Sequence, residues 1–192
     1  MFRNSSHLFL LDYNGNGVWD GNQIDREYNF GISNDTPVVG DWNGDGITEI
    51  GIFRIYNHRF LLDYNGNGIW DNTPIDIRYN YGALNDLPVA GDWNGDGITE
   101  VGVFRESSHT WYLDLNGDGL MGTGEGVYNF GNTGDLPVSG DWNGNGITDI
   151  GVFRKSTKQF LLDYDGNGIW NAINDKNYLY VNGNFSISGK WK

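Results

Sequence analysis

Apolar positions along this chain fall in short runs that stop at Gly, Asn or Asp. TPVVGDW (36–42), EIGIFR (49–54), RFLLDY (59–64) and DIRYNYG (76–82) are typical. Such runs, rich in β-branched and aromatic residues and closed by turn formers, predict strands joined by tight turns. No stretch places apolar residues at helical spacing over ten or more positions. In EIGIFR the side chains of Ile50 and Ile52 point to one face and Phe53 to the other. Both faces of the sheet therefore carry apolar groups, which suits a sheet packed between two others rather than one with a wet face.

The pattern repeats. GDWNGDGITEIGIFR at 40–54 returns as GDWNGDGITEVGVFR at 91–105 and GDWNGNGITDIGVFR at 140–154, with Asp41, Asp92 and Asp141 spaced 51 and 49 residues apart. FLLDYNGNGVWD from Phe9 returns from Phe60, Trp111 and Phe160, and the stretch from Tyr28 returns from Tyr79 and Tyr128 and fades from Tyr178. The chain is thus one repeat domain, 1–192, of four units: 1–35 completed by 182–192, then 36–86, 87–135 and 136–181. Four strands per unit, with termini offset by one strand, predict an all-β fold: a β-propeller of four four-stranded blades. The C-terminal strand at 185–191 is expected to close it onto the short strand at 1–3. An incomplete closure would leave an exposed edge for self-association.

The turns carry the chemistry. In DWNGDGITE, Asp41, Asn43, Asp45 and Glu49 stand at positions 1, 3, 5 and 9, with Gly46 at position 6. A curled loop turns alternate side chains inward, and the Ile47 carbonyl at position 7 can add an oxygen. Asp92, Asn94, Asp96, Ile98 and Glu100 repeat the set, as do Asp141, Asn143, Asn145, Ile147 and Asp149. A second loop in each unit has the same spacing. Its copies are Asp12, Asn14, Asn16, Val18 and Asp20; Asp63, Asn65, Asn67, Ile69 and Asp71; and Asp163, Asp165, Asn167, Ile169 and Asn171. In the seventh loop, Asp114, Asn116, Asp118 and Leu120 lack an oxygen at position 9, where Gly122 stands, and Glu125 is the candidate replacement. That loop fits the EF-hand spacing, but its flanks are not helical, so no EF-hand is expected. All-oxygen ligands without sulfur or imidazole select a hard cation, and a flexible set of six or seven selects calcium over magnesium. The competing reading is that Asn, Asp and Gly build hairpin turns without metal; seven loops in one register, each with carboxylates, favour calcium as the cofactor, up to seven ions per chain.

Charge and composition sharpen this. Net charge is −13, and sixteen of the 25 acidic residues lie at these loop positions, so the acidity is local. Seven divalent ions would bring the chain near neutrality. Excess acidity disfavours nucleic acid, and no apolar run approaches the roughly 20 residues that span a bilayer, so neither nucleic-acid binding nor membrane insertion is expected. There are no cysteines, so bound cations would do the stapling that disulfides do elsewhere. The N-terminus lacks a signal-peptide pattern, which leaves a mature segment, a fragment of a larger secreted protein, or a cytoplasmic protein.

The motif FGxxxDxPVxGDWNGDGITEIG resembles the FG-GAP repeat of integrin alpha-chain propellers and of bacterial and archaeal surface proteins with VCBS-type repeats. The likeness covers nearly the whole chain. It implies a propeller, calcium in the hairpin between the first two strands of each blade, and an extracellular or cell-surface adhesion setting; a protein or glycan ligand at a cell surface is the partner expected there. The units here are shorter than in integrins, four is fewer than usual, and the second loop per unit is additional.

Other recurrent residues have structural readings. Arg3, Arg54, Arg105 and Arg154 end the second strands, and Asp35, Asp86 and Asp135 precede the next connection, which predicts ion pairs on the face opposite the loops. His7, His58, His109 and Lys158 are expected as turn residues, too far apart to share a metal. Trp42, Trp93, Trp142 and Trp191, and Trp19, Trp70 and Trp170, are expected mostly between blades, with a sugar-stacking subset as the alternative. No catalytic constellation breaks the symmetry, so the expectation is a non-catalytic module. The alternatives are a lectin-like glycan binder or an accessory domain of a polysaccharide-active enzyme.

Overall fold

A computed structural model describes residues 1–180, and its fifteen strands form four antiparallel meanders arranged as a four-bladed β-propeller. The first blade comprises β1 (Phe2–Arg3), β2 (Leu8–Leu11) and β3 (Arg26–Asn29). The second comprises β4 (Thr36–Gly40), β5 (Glu49–Arg54), β6 (Arg59–Leu62) and β7 (Ile77–Asn80). The third runs through β8 (Leu87–Gly91), β9 (Glu100–Arg105), β10 (Thr110–Leu113) and β11 (Gly126–Asn129). The fourth runs through β12 (Asp135–Gly140), β13 (Asp149–Arg154), β14 (Gln159–Leu162) and β15 (Lys176–Leu179). The first blade thus has three strands among the described residues. The closing strand expected at 185–191 lies outside them.

First strands are innermost, β8 packing against both β4 and β12. The core lies in the seams between blades, as the two-sided apolar pattern predicts. Ile50 and Ile52 pack with Phe9 and Phe30 of the preceding blade. Phe53, with Val38, Trp42 and Phe60, packs against Val101 and Val103 of the following one. Within each blade an aromatic pair locks the register of strands two and three: Phe53 opposite Phe60 at 4.7 Å between ring centres, Phe104 opposite Trp111 at 5.1 Å, Phe153 opposite Phe160 at 4.9 Å. The central glycine of EIGIFR is required by close packing, because a Cβ on Gly51 would sit 2.9 Å from Leu62 Cδ2 and 3.0 Å from Val38 Cγ2.

The indoles of Trp42, Trp93 and Trp142 are buried and donate to the carbonyls of Ile50, Val101 and Ile150. These three are seam residues; Trp191 lies outside the described residues. The expected ion pairs form, each through two parallel hydrogen bonds from arginine Nε and Nη2. Arg54 pairs with Asp35, Arg105 with Asp86 and Arg154 with Asp135, all at 2.8 Å. His7, His58, His109 and Lys158 sit in the turns between second and third strands with φ between 53° and 55°. His7 and His109 bond the hydroxyls of Ser33 and Thr133, so they serve as turn residues.

Candidate metal centres

Antiparallel order places the hairpins joining strands one to two and strands three to four at the same end of the second, third and fourth blades, and the β2–β3 hairpin of the first blade is the counterpart of the latter. Each first hairpin curls around its leading aspartate. Asp41 Oδ1 accepts from the backbone N–H of Gly44 and Asp45 at 2.8 and 3.1 Å, and Oδ2 from that of Gly46 at 2.8 Å. Asn43 and Asp45 each cap the N–H two residues on. The bend needs Gly44 and Gly46 at φ of 76° and 87°, which a side chain resists. Glu49 closes the turn by accepting from Trp42 N at 3.1 Å; Glu100 does so for Trp93 and Asp149 for Trp142. Carboxylate oxygens of Asp41, Asp45 and Glu49 therefore lie within 4.8 Å of one another, as do those of Asp92, Asp96 and Glu100. The Asp141 loop has the same curl with two carboxylates, its third and fifth positions being Asn143 and Asn145.

The second hairpins curl alike around Asp12, Asp63, Asp114 and Asp163. Their closing acid is one that the nine-residue register does not reach. Asp25, Asp76 and Asp175, immediately before the fourth strands, are buried and accept from the N–H of Tyr13, Tyr64 and Tyr164, which follow the leading aspartate. That is the place Glu49 takes in the first hairpin. The position-9 acids Asp20 and Asp71 stand further out, taking the side-chain amides of Asn14 and Asn16, or Asn65 and Asn67. These amides hold the exposed Asp20 carboxyl below its ordinary range.

Glu125 occupies the same pre-strand place in the third blade. Its oxygens converge with those of Asp114 and Asp118 within 4.8 Å, while Tyr81 Oη of the preceding blade donates to it. Asp163, Asp165 and Asp175 form the fourth such group. A visible signal marked Asp25, Asp76 and Asp175, which the register missed, along with the expected Glu125: each unit has an acid directly before the strand that ends it, in QIDREYN, PIDIRYN, GEGVYN and NDKNYL. Of the nine acids outside the loop register, four thus belong to the loops and three to the arginine pairs, so the loop end is more acidic than the register alone implies.

Within a blade the two hairpins lie side by side. Asn43 donates to the Tyr64 carbonyl at 2.8 Å, Asn94 to that of Leu115 at 3.2 Å and Asn143 to that of Tyr164 at 3.0 Å. Burial, reinforced by neighbouring carboxylates and opposed by the tryptophan N–H, pushes Glu49 up to about 7 and Glu100 up to about 8. Burial likewise raises Asp149 to about 7 and Asp163 to about 6, and lifts Asp63, Asp114 and Glu125. A buried acid crowded by acids holds a proton unless a cation replaces it.

A pH dependence follows. Without metal, these groups keep protons in the folded chain that the unfolded chain releases near its ordinary carboxyl range. Folded protein then binds more protons between roughly pH 4.5 and 8, and stability falls as pH rises through that window. Denaturant unfolding of chelator-treated protein is expected to show a midpoint declining from pH 5 to pH 8. A divalent cation held by these loops would cancel or reverse the decline, because it would bind the deprotonated form. A metal-free midpoint that rises over this range would contradict the assignment of these acids as protonated.

No family model, curated protein or solved structure matches the chain. The FG-GAP likeness accordingly rests on the motif, while the propeller and its acidic clusters rest on the structure.

Proposed function

We propose that this chain is a non-catalytic, calcium-binding β-propeller module that works outside the cell or at its surface, in display or adhesion toward a protein or glycan. One observation carries the reading: in four loops three carboxylates bring oxygens within 4.8 Å of one another. Asp41, Asp45 and Glu49 would hold one ion, with Asn43 and the Ile47 carbonyl completing an all-oxygen set suited to calcium. The corresponding groups are Asp92, Asp96 and Glu100; Asp114, Asp118 and Glu125; and Asp163, Asp165 and Asp175. A bound divalent ion supplies charge neutralisation and cross-links the two arms of each hairpin. Repetition of the acids in every unit supports a structural role over a catalytic one, since catalysis needs one distinguished constellation.

Isothermal titration of chelator-stripped protein tests it. Calcium is expected to bind at four or more ions per chain, with magnesium at least tenfold weaker because its octahedral, water-retaining shell tolerates crowded carboxylates poorly. Asp175→Asn should remove binding from one loop while Asn171→Ala leaves it, if the pre-strand acid is the ligand. No heat or saturation at millimolar calcium would end the proposal.

A further inference from the structure

Each described seam between blades carries, near its rim, an aromatic residue just after a fourth strand and a residue from the second hairpin of the next blade. At the first seam these are Phe30 and Trp70, at the second Tyr81 and Met121, at the third Phe130 and Trp170. The third seam combines an aromatic wall with a guanidinium and with an amide, Asn132, where the other two seams have Ile32 and Ala83. A cavity of about 160 Å³ lies there, lined by Phe130, Gly131, Asn132, Arg154, Leu161 and Trp170. Phe130 is buried, and Trp170 meets it edge-on at 6.2 Å while keeping 36% of its surface exposed. Asp135 holds the Arg154 guanidinium through Nε and Nη2 at 3.0 and 2.8 Å. The Asn132 amide, oriented to satisfy its surroundings, accepts from Nη2 at 2.9 Å and donates to the Gly131 carbonyl at 2.8 Å. A guanidinium has five N–H donors, so the two on Nη1 have no partner among the described residues.

The other seams show what fills such a site. At the second, Arg105 Nη1 is taken by the Tyr112 hydroxyl at 3.1 Å, Met121 replaces the indole, and Tyr81 bonds Glu125. At the third seam Leu161 stands where Tyr112 stands, which leaves Nη1 uncommitted. At the first, Ile32 replaces the amide and Tyr56 lies near the Arg54 guanidinium.

We infer that the third-seam groove is a binding site for one neutral pyranose ring. An exposed indole beside a buried phenyl suits the C–H face of a sugar, and the fixed guanidinium and amide suit its equatorial hydroxyls. The Arg154–Asp135 pair cancels its own charge, and the chain is strongly acidic, so an anionic sugar is disfavoured. The volume is below the ~300 Å³ at which drug-sized pockets begin, so a single ring fits rather than a chain of them. This rests on the binding-module part of the proposed function, and because Trp170 stands between Ile169 and Asn171 of the Asp163 loop, the calcium-loaded chain is the form to test.

Saturation-transfer NMR on the calcium-loaded chain, with its fold checked by circular dichroism, tests the inference. The probes are the methyl glycosides of glucose, galactose, mannose, N-acetylglucosamine, xylose and fucose. At least one should receive saturation at its ring protons, and Trp170→Leu should weaken its binding at least tenfold. Asn132→Ala, at an exposed position, should weaken binding without altering the fold, and Trp19→Leu in the first blade should leave it unchanged. Absence of transfer to all six, or transfer that survives both Trp170→Leu and Asn132→Ala, overturns the groove while leaving the metal proposal standing.

Discussion

Chelation with excess EGTA is expected to lower the thermal unfolding midpoint by more than about 20 °C relative to protein in millimolar calcium. An ion at a hundred times its dissociation constant stabilises the folded state by about 2.7 kcal/mol per site. For a chain of this length each kcal/mol moves the midpoint by roughly 2–4 °C, and four loops bring three carboxylates together. The direction follows from the loops themselves. Stripped of cations, Glu49, Glu100, Asp149 and Asp163 hold protons or repel their neighbours, and the chain has no cysteine to hold its small sheets together. Readdition of calcium should restore the midpoint and magnesium should restore far less. A midpoint that moves by under about 2 °C on chelation would separate the fold from its acidic loops.

Trp111→Ala should be the most damaging single core substitution, costing about 3–5 kcal/mol. Trp111 is fully buried in the third seam, packed at a tilt against Phe104 at 5.1 Å between ring centres, and its indole donates to the Phe130 carbonyl at 3.0 Å. Truncation removes seam packing and strands a buried carbonyl, two costs of different origin. The loss is a large share of the roughly 5–15 kcal/mol that holds a domain folded. Urea unfolding should show a lower midpoint at similar slope. A cost under 1 kcal/mol would mean that the blades do not depend on the seam.

The blade pattern was legible because it is local and repeated. Alternation in EIGIFR assigned Ile50 and Ile52 to one seam and Phe53 to the other, and both lie there. The first hairpins were legible for the same reason, since one nine-residue register contains every acid that converges in the Asp41 and Asp92 loops. In the second hairpins that register misleads. Asp25, Asp76 and Asp175 close the loop across an excursion of variable length, and Asp20 and Asp71 turn outward to the asparagine amides. Only the start of the next strand fixes the closing acid, so its identity depends on strand pairing rather than spacing. The rim groove is less legible still. Asn132, Arg154 and Trp170 come from separate connections and strands, and their seam differs from the first by the amide of Asn132 in place of Ile32 and from the second by Leu161 in place of the Tyr112 hydroxyl.

The account turns on cations seated among the loop carboxylates, and anomalous diffraction from crystals grown in calcium chloride addresses that most directly. It predicts peaks enclosed by Asp41, Asp45 and Glu49, by Asp92, Asp96 and Glu100, by Asp114, Asp118 and Glu125, and by Asp163, Asp165 and Asp175. Loops without anomalous signal at millimolar calcium, their acids turned toward water, would contradict it.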